Sequence, residues 1–233
     1  GGKGNLDVDW SDGSVWIRSD NGTYAGKVVK LNMHGEIQFI LEGFSGSANL
    51  VVNQQTGDVY VAKYSAFAQA TIYKYDRNGN LLLEGPAFGY CGNMPAIAFD
   101  QDNQVLYTGT SQSGVIHKYD ADLAPIWSVD TNLSCSGPYG PLDVRPLDGS
   151  IWVVEPSGSG SSAQHRASNG SLLTSRSNVI SIEFNEDGTY WMLDGGTLKK
   201  YAADDSLLID TGADRGAPEA RVYEAQYPPT DIA

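Results

Sequence analysis

Five imperfect copies of one pattern run through the chain, and this repetition constrains the fold more than any other feature. Each copy joins two short runs of strand-forming residues through a turn rich in Gly, Asn or Asp, which tolerate the positive φ of two-residue hairpin turns. The predicted turns are Asp12-Gly13, Thr56-Gly57, Asp102-Asn103, Asp148-Gly149 and Asp187-Gly188. The second run carries a large aromatic residue at one position. These residues, here called the aromatic column, are Trp16, Tyr60, Tyr107, Trp152 and Trp191.

A second hairpin follows each first one and carries a basic residue at a recurring position. This basic column is predicted to comprise Lys30, Lys74, Lys118, Arg166 and Lys200. The fourth copy is one residue shorter before its turn. Because the alkyl stems of such residues can pack against neighbouring aromatic rings, we assign the basic column a structural role.

The spacing of the aromatic column predicts the architecture. Its members are separated by 44, 47, 45 and 39 residues, which is typical of the four-stranded blades of a β-propeller. We therefore predict an all-β propeller of antiparallel four-stranded blades, with five blades favoured and six as the alternative. The propeller domain is assigned to residues 1–210, and its repeats to about 5–43, 44–88, 89–136, 137–176 and 177–210.

Residues 211–233 form a C-terminal tail that departs from the repeat. Polar and less polar residues alternate over 220–227, which predicts one strand that Pro228-Pro229 ends. The first copy already supplies four strands, so this strand is spare. It can pair with an outer edge of its own propeller, pair with an edge on a neighbouring copy, or remain unpaired. In the second case the assembly strand would use Arg221, Val222, Tyr223 and Tyr227.

The repeat resembles a known group of propellers. The pattern runs from a strand through Asp-Gly to Val-Trp-Val, and then to Ile-x-Lys-Tyr-Asp and Asn-Gly-x-Leu. This order of motifs is similar to that of the NHL-repeat and SMP-30/gluconolactonase-like group. Residues 51–83 and 183–209 match best, and the resemblance covers about residues 5–210. It implies a propeller, but it does not imply one function, because this architecture hosts hydrolases, lyases, receptors and scaffolds.

The resemblance also implies a metal site. SMP-30-like lactonases hold a divalent cation with carboxylate and Asn oxygens around the central channel, and such ligands suit Ca²⁺ or Mg²⁺. Equivalent positions here offer Glu155, Asp194, Asn93 and Asn178. The ligand set cannot be carried over residue by residue, and Lys63 at another strand end would oppose a cation. We therefore predict no cofactor and keep the metal site as an alternative.

No other constellation in the sequence predicts catalysis. Gly-x-Ser-x-Gly and Cys-x-x-Cys are absent, and no ordered Ser/His/Asp set can be assigned. We therefore favour a chain that is not an enzyme.

Charge and composition restrict the partners and the compartment. The chain has 15 Lys+Arg against 28 Asp+Glu, a net charge of −13, which repels phosphates and predicts no nucleic-acid partner. Its apolar runs are too short for membrane insertion. Low lysine content, an even number of cysteines and a first residue other than Met favour an extracellular or cell-surface protein.

The two cysteines and three sequons agree with that compartment. Cys91 and Cys135 lie in connections between successive copies, at nearly equivalent positions. Equivalent loops of adjacent blades lie side by side, so we predict a disulfide, provided that the Cα atoms approach within about 7 Å. The glycosylation candidates are Asn21, Asn132 and Asn169.

These observations favour a secreted, non-catalytic propeller that binds proteins or assembles with copies of itself through its tail, as a structural and filament-forming subunit. One alternative is a divalent-metal-dependent lactonase or hydrolase that uses the central channel. Another is a glycan or small-ligand binding module whose contacts include the loop residues Tyr90 and Tyr139.

Overall fold

The computed structural model describes residues 6–19, 22–44, 48–65, 69–89, 96–109, 114–131, 142–155 and 161–212. These residues form five four-stranded antiparallel sheets and one short 3-10 helix, Gly22–Tyr24. The strands of sheet one are β1 (Leu6–Asp9), β2 (Ser14–Ser19), β3 (Lys27–Leu31) and β4 (Ile37–Leu41). Those of sheet two are β5 (Ala48–Val52), β6 (Val59–Ser65), β7 (Gln69–Tyr75) and β8 (Leu81–Gly89). Those of sheet three are β9 (Ala96–Asp100), β10 (Val105–Gly109), β11 (Val115–Asp120) and β12 (Pro125–Asp130). Those of sheet four are β13 (Leu142–Val144), β14 (Ile151–Glu155), β15 (Ser162–Arg166) and β16 (Leu172–Ser177). Those of sheet five are β17 (Val179–Phe184), β18 (Tyr190–Asp194), β19 (Thr197–Tyr201) and β20 (Leu207–Asp210).

The five sheets are arranged as the blades of a propeller. Within each sheet the strands follow one another in chain order. The first strands of successive sheets contact each other from β1 to β17, whereas the fourth strands are largely exposed. First strands therefore lie near the axis and fourth strands at the periphery. The predicted all-β propeller with five blades is confirmed.

The first hairpins are closed differently from the prediction. Their loops contain four to six residues instead of two. The glycines of the predicted turns do adopt positive φ, as Gly13 does at 68°, but in the third copy the positive φ falls on Gln104, at 53°, and not on Asn103. In the first loop the N–H of Gly13 donates to the carbonyl of Asp9 at 2.8 Å. This additional bonded turn lengthens the loop beyond two residues.

The strand register corrects one member of the basic column. Trp16 lies opposite Lys30, and the pairs in sheets two, three and five are equivalent. In sheet four, however, Trp152 lies opposite His165, so the prediction of Arg166 at this position is wrong. The shorter fourth copy has moved the register by one residue.

The core lies between the sheets. Four apolar clusters join sheets one and two, two and three, three and four, and four and five. The first four members of the aromatic column lie in these clusters and are 0% exposed. The fifth, Trp191, is only half-buried. Among the described residues, no apolar cluster joins sheet five to sheet one.

Candidate functional site

The lysines of the basic column in sheets one, two and three connect neighbouring sheets. Lys30 Nζ lies 5.4 Å from the ring centroid of Trp16 and donates to the carbonyl of Arg77, in sheet two, at 3.0 Å. Lys118 of sheet three likewise lies over Tyr107 and donates to the carbonyl of Ser168, in sheet four, at 3.0 Å. Cation–π attraction and a hydrogen bond across the interface hold each ammonium group. This geometry fits the structural role assigned from the sequence.

His165 builds a buried polar network where a lysine stands in the other sheets. Its imidazole stacks on Trp152 with the ring centroids 4.9 Å apart. Nε2 lies 2.9 Å from Ser150 Oγ, and Nδ1 lies 3.5 Å from Oδ2 of Asp205, which belongs to the β19–β20 turn of sheet five. Loss of hydration lowers the pKa of His165, although the charge of Asp205 opposes this.

Ser150, His165 and Asp205 have the order of contacts found in serine hydrolases. Ser150 and His165 are each only 2% exposed, however, and Trp152 covers one face of the imidazole. A substrate carbonyl could not approach the serine oxygen, and His165 Nδ1 makes no hydrogen bond to the Asp205 carboxylate, so these three residues do not form a catalytic triad. Sequence reasoning missed this polar network because the contacts depend on how two sheets pack, and the only local signal was the short fourth copy.

Two first strands carry carboxylates that bond to the next sheet. Asp7 Oδ2 accepts the N–H of Val52 at 2.7 Å, and Asp143 Oδ2 accepts the N–H of Phe184 at 2.8 Å. Loss of hydration raises the pKa of Asp7 to about 6 despite these bonds, with a further contribution from Asp9. Loss of hydration and repulsion from Glu183 also raise the pKa of Asp143.

The predicted metal ligands are only partly described. Asn178 directly precedes Val179, which pairs with Asp194, so these two candidates lie at one end of sheet five. Lys199 Nζ lies 3.0 Å from Asp194 Oδ2 and would repel a cation there. Glu155 ends β14, and Asn93 lies outside the described residues. Within the described ranges, no group of three or more His, Cys, Asp or Glu side chains could hold a metal ion.

Most of the other predicted sites lie outside the described part of the chain. This applies to Cys91 and Cys135, to Asn21 and Asn132, and to the tail residues Arg221, Val222, Tyr223 and Tyr227. The disulfide and the assembly strand therefore remain predictions. The remaining sequon residue, Asn169, is exposed in the turn between β15 and β16.

A small cavity of about 220 Å³ lies between sheets one and two, where a polar ligand could be sought. Its lining residues are Asp12, Lys30, Gln38, Phe39, Arg77 and Asn78. Both cations are already paired, Lys30 with Asp12 at 3.5 Å and Arg77 with Asp9 at 3.0 Å. The cavity therefore lacks an uncompensated charge with which to bind a charged ligand.

The periphery carries a repeated apolar surface. The fourth strands expose large aliphatic side chains, with Leu173 55% exposed and Leu208 53% exposed. We call this set the peripheral aliphatic surface: Ile37, Leu81, Leu82, Leu83, Ile126, Leu172, Leu173, Leu207, Leu208 and Ile209. Exposed aliphatic residues on unpaired strand edges are a typical feature of interaction surfaces.

Comparison with known proteins supports the fold. Neither a protein-family model nor a curated protein sequence matches the chain. The streptogramin B lyase structure is similar, with a TM-score of 0.65 and 17% identity over 88% of this chain and 67% of that one. Hydrazine synthase of Kuenenia stuttgartiensis has a TM-score of 0.62 and 12% identity over 84% of this chain and 55% of that one. Raptor of Chaetomium thermophilum has a TM-score of 0.67 and 11% identity over 88% of this chain and 20% of that one.

The streptogramin B lyase and hydrazine synthase are β-propellers, and all three likenesses extend no further than the fold, because the identities are low. The chain spans only about half the length of the hydrazine synthase chain that it matches. The specific resemblance to the NHL and SMP-30 group remains a prediction. The described part of the chain also contains no helix long and apolar enough to cross a membrane.

Proposed function

We propose that this chain is a non-catalytic, extracellular or cell-surface propeller that binds proteins, including copies of itself, through the peripheral aliphatic surface. The observation that carries this proposal is the exposure of adjacent leucines on fourth strands, such as Leu172 at 52% and Leu173 at 55%. Burial of such side chains against a partner is favourable by about 25 cal/mol per Å² of apolar area. Repetition around the periphery offers several such contacts to one partner.

The strand edges support the same function. Among the residues that the structure describes, a fourth strand has a hydrogen-bonded neighbour on one side only, so its outer edge can accept an added strand. Soluble proteins commonly protect such edges with lysine or proline. None of the described fourth strands contains lysine. Proline interrupts β8 and β12 at Pro86 and Pro125, which makes β4, β16 and β20 the more suitable edges.

The extracellular assignment rests on the sequence. An exported chain explains the low lysine content and the paired number of cysteines. Asn169, the one sequon residue within the described ranges, is exposed in a turn and accessible to a glycosyl transferase. Peptide mapping of the protein isolated from its source tests this assignment through a glycan on Asn169.

Lysine substitution on the peripheral aliphatic surface tests the proposed function. Leu173→Lys and Leu208→Lys, made together, place charges on β16 and β20 and should convert assemblies of the full chain into single molecules. Both side chains are exposed, so each change should alter the free energy of unfolding by no more than about 0.5 kcal/mol. The measurement is particle mass by light scattering, together with thermal unfolding.

A matched control uses another exposed aliphatic residue. Met33 is 69% exposed in the turn between β3 and β4, and Met33→Lys adds a similar charge away from the fourth strands. It should leave the assembly unchanged. Equal particle mass for the parent and the double variant would contradict a role for β16 and β20.

A further inference from the structure

Sheet one has a face that is as apolar as its counterpart in sheet two but much less buried. Leu6 pairs with Ile17 in sheet one, just as Leu50 pairs with Val61 in sheet two. Leu6 is 53% exposed and Ile17 is half-buried, whereas Leu50 is 3% and Val61 0% exposed. Sheet one covers Leu50 and Val61, but no described residue provides the same cover for Leu6.

The opposite face of sheet five shows the same difference. Trp152 of sheet four is 0% exposed because sheet five covers it, whereas its counterpart Trp191 is half-buried. On β20, Ile209 pairs with Lys200, the partner of Trp191, and is 46% exposed. The ammonium group of Lys200 lies 5.3 Å from the centroid of the Trp191 ring. We call the faces marked by Leu6 and Trp191 the open faces.

Backbone hydrogen bonds mark the points at which the chain leaves sheets one, three, four and five. At the exit of sheet one, the N–H of Phe44 donates to the carbonyl of Gly26, directly before β3, at 2.9 Å. At the exit of sheet three, the N–H of Thr131 donates to the carbonyl of Gly114, directly before β11, at 2.8 Å. The N–H of Asn178 donates to the carbonyl of Ser161 at the exit of sheet four. Each of these exits leads to the first strand of the next sheet.

The exit of sheet five has a hydrogen bond two residues further along the third strand, because its acceptor, Leu198, lies inside β19. The N–H of Thr211 donates to the carbonyl of Leu198 at 3.2 Å, and its Oγ1 donates to the same carbonyl at 3.0 Å. The tail therefore starts from a residue that is hydrogen-bonded to β19 of sheet five. The connections between sheets contain one to eleven residues. The segment 211–219 is long enough to be such a connection to the strand predicted over 220–227.

We propose that the C-terminal tail, residues 211–233, lies between the open faces of its own molecule and covers Trp191 and Leu6. Attachment directly to sheet five favours this intramolecular contact, because the effective concentration of a tethered segment is high. The tail then completes the interface that joins the last sheet to the first. This inference does not rest on the peripheral aliphatic surface, so either proposal can fail alone.

Hydrogen exchange on the unmodified full chain tests the position of the tail. Amides of residues 220–227 should exchange roughly 100-fold more slowly than those of an unstructured chain. The protection should be the same in dilute and concentrated samples. Protection that disappears on dilution together with loss of oligomers would show that a second copy supplies the strand, and it would overturn the proposal. Exchange at unstructured rates would also overturn it.

A double-mutant cycle in the full chain tests the contact with Trp191. The variants are Trp191→Ala, the pair Tyr223→Ala and Tyr227→Ala, and all three changes together. If the tail covers Trp191, the combined variant should lower the unfolding temperature by less than the sum of the separate effects. A control cycle uses Trp152→Ala in place of Trp191→Ala. The ring of Trp152 is buried between sheets four and five, so its effect on the unfolding temperature should add to that of the tyrosine changes. Additivity in both cycles would contradict the contact.

Discussion

Single residues determine which polar contacts join one sheet to the next. Lys30 and Lys118 place an ammonium group over an aromatic ring and bind a carbonyl of the next sheet. His165 replaces the lysine in sheet four and reaches Ser150 and Asp205 instead. A neutral imidazole suits this site, because loss of hydration lowers the pKa of His165.

Asp7 makes folding depend on pH. Its pKa is about 6 in the folded chain, against 3.8 for the ordinary side chain. Between these pH values Asp7 keeps its proton in the folded chain but has lost it in the unfolded chain. The contribution of Asp7 to the free energy of unfolding therefore falls as pH rises from about 4 to 6. Asp7→Asn should therefore gain stability relative to the parent over this range, by at most about 1.4 kcal/mol per pH unit. Urea unfolding at a series of pH values measures this difference.

Asp148→Asn is the control for that series. Loss of hydration at Asp148 is outweighed by hydrogen bonds from Ser150, so the pKa of Asp148 lies below its ordinary value. This variant should show no gain relative to the parent as pH rises from about 4 to 6. A difference between Asp7→Asn and the parent that stays constant with pH would contradict the raised pKa.

At the scale of elements, two equivalent turns allow the cost of backbone strain to be distinguished from the cost of a steric clash. Gly35 and Gly79 lie in the turns before fourth strands, with φ of 82° and 80°. A Cβ atom at Gly35 would meet no atom within 4 Å, but one at Gly79 would lie 2.7 Å from the Phe39 ring. Phe39 in turn packs edge-on against Trp16 at 5.1 Å.

Alanine substitution at these two turns should give unequal losses of stability. Gly35→Ala should cost about 1–2 kcal/mol, because an L-residue is strained at positive φ. Gly79→Ala should cost more, because the Phe39 ring must also move away from Trp16. Thermal and urea unfolding measure both losses. Equal losses would show that the Phe39 ring gives way freely.

The repeat predicted the sheets well because each hairpin is local. Gly13, Gly57, Gly149 and Gly188 adopt the positive φ expected of the turn residues, and the aromatic column marks the strand that packs against the next sheet. The loop lengths were wrong because Gly13 bonds back to Asp9. Arg166 was misplaced because one missing residue changes which side chain faces Trp152.

Packing between sheets could not be predicted from the sequence. Leu6 and Leu50 occupy equivalent positions in similar strands, yet their exposures are 53% and 3%. Only the arrangement of the sheets distinguishes them, because sheet one covers Leu50. The contact of His165 with Asp205 likewise joins residues 40 positions apart through the packing of sheets four and five.

At the scale of the whole molecule, the five sheets present two kinds of surface that no described residue covers. The open faces of sheets one and five lie at the two ends of the series of sheets, and we propose that the C-terminal tail of the same molecule covers them. The peripheral aliphatic surface recurs on every fourth strand and is therefore available to separate molecules. The net charge of −13 opposes non-specific association, so contacts at the periphery must be specific enough to overcome repulsion.

The particle mass of the full chain across a range of concentrations, measured by light scattering, tests the account most directly. A single chain has a mass of 25.0 kDa. We predict a mass that rises with concentration to multiples of this value, and rises further when added salt screens the repulsion between acidic chains. A mass of one chain at every concentration and salt level would contradict self-assembly through the fourth strands.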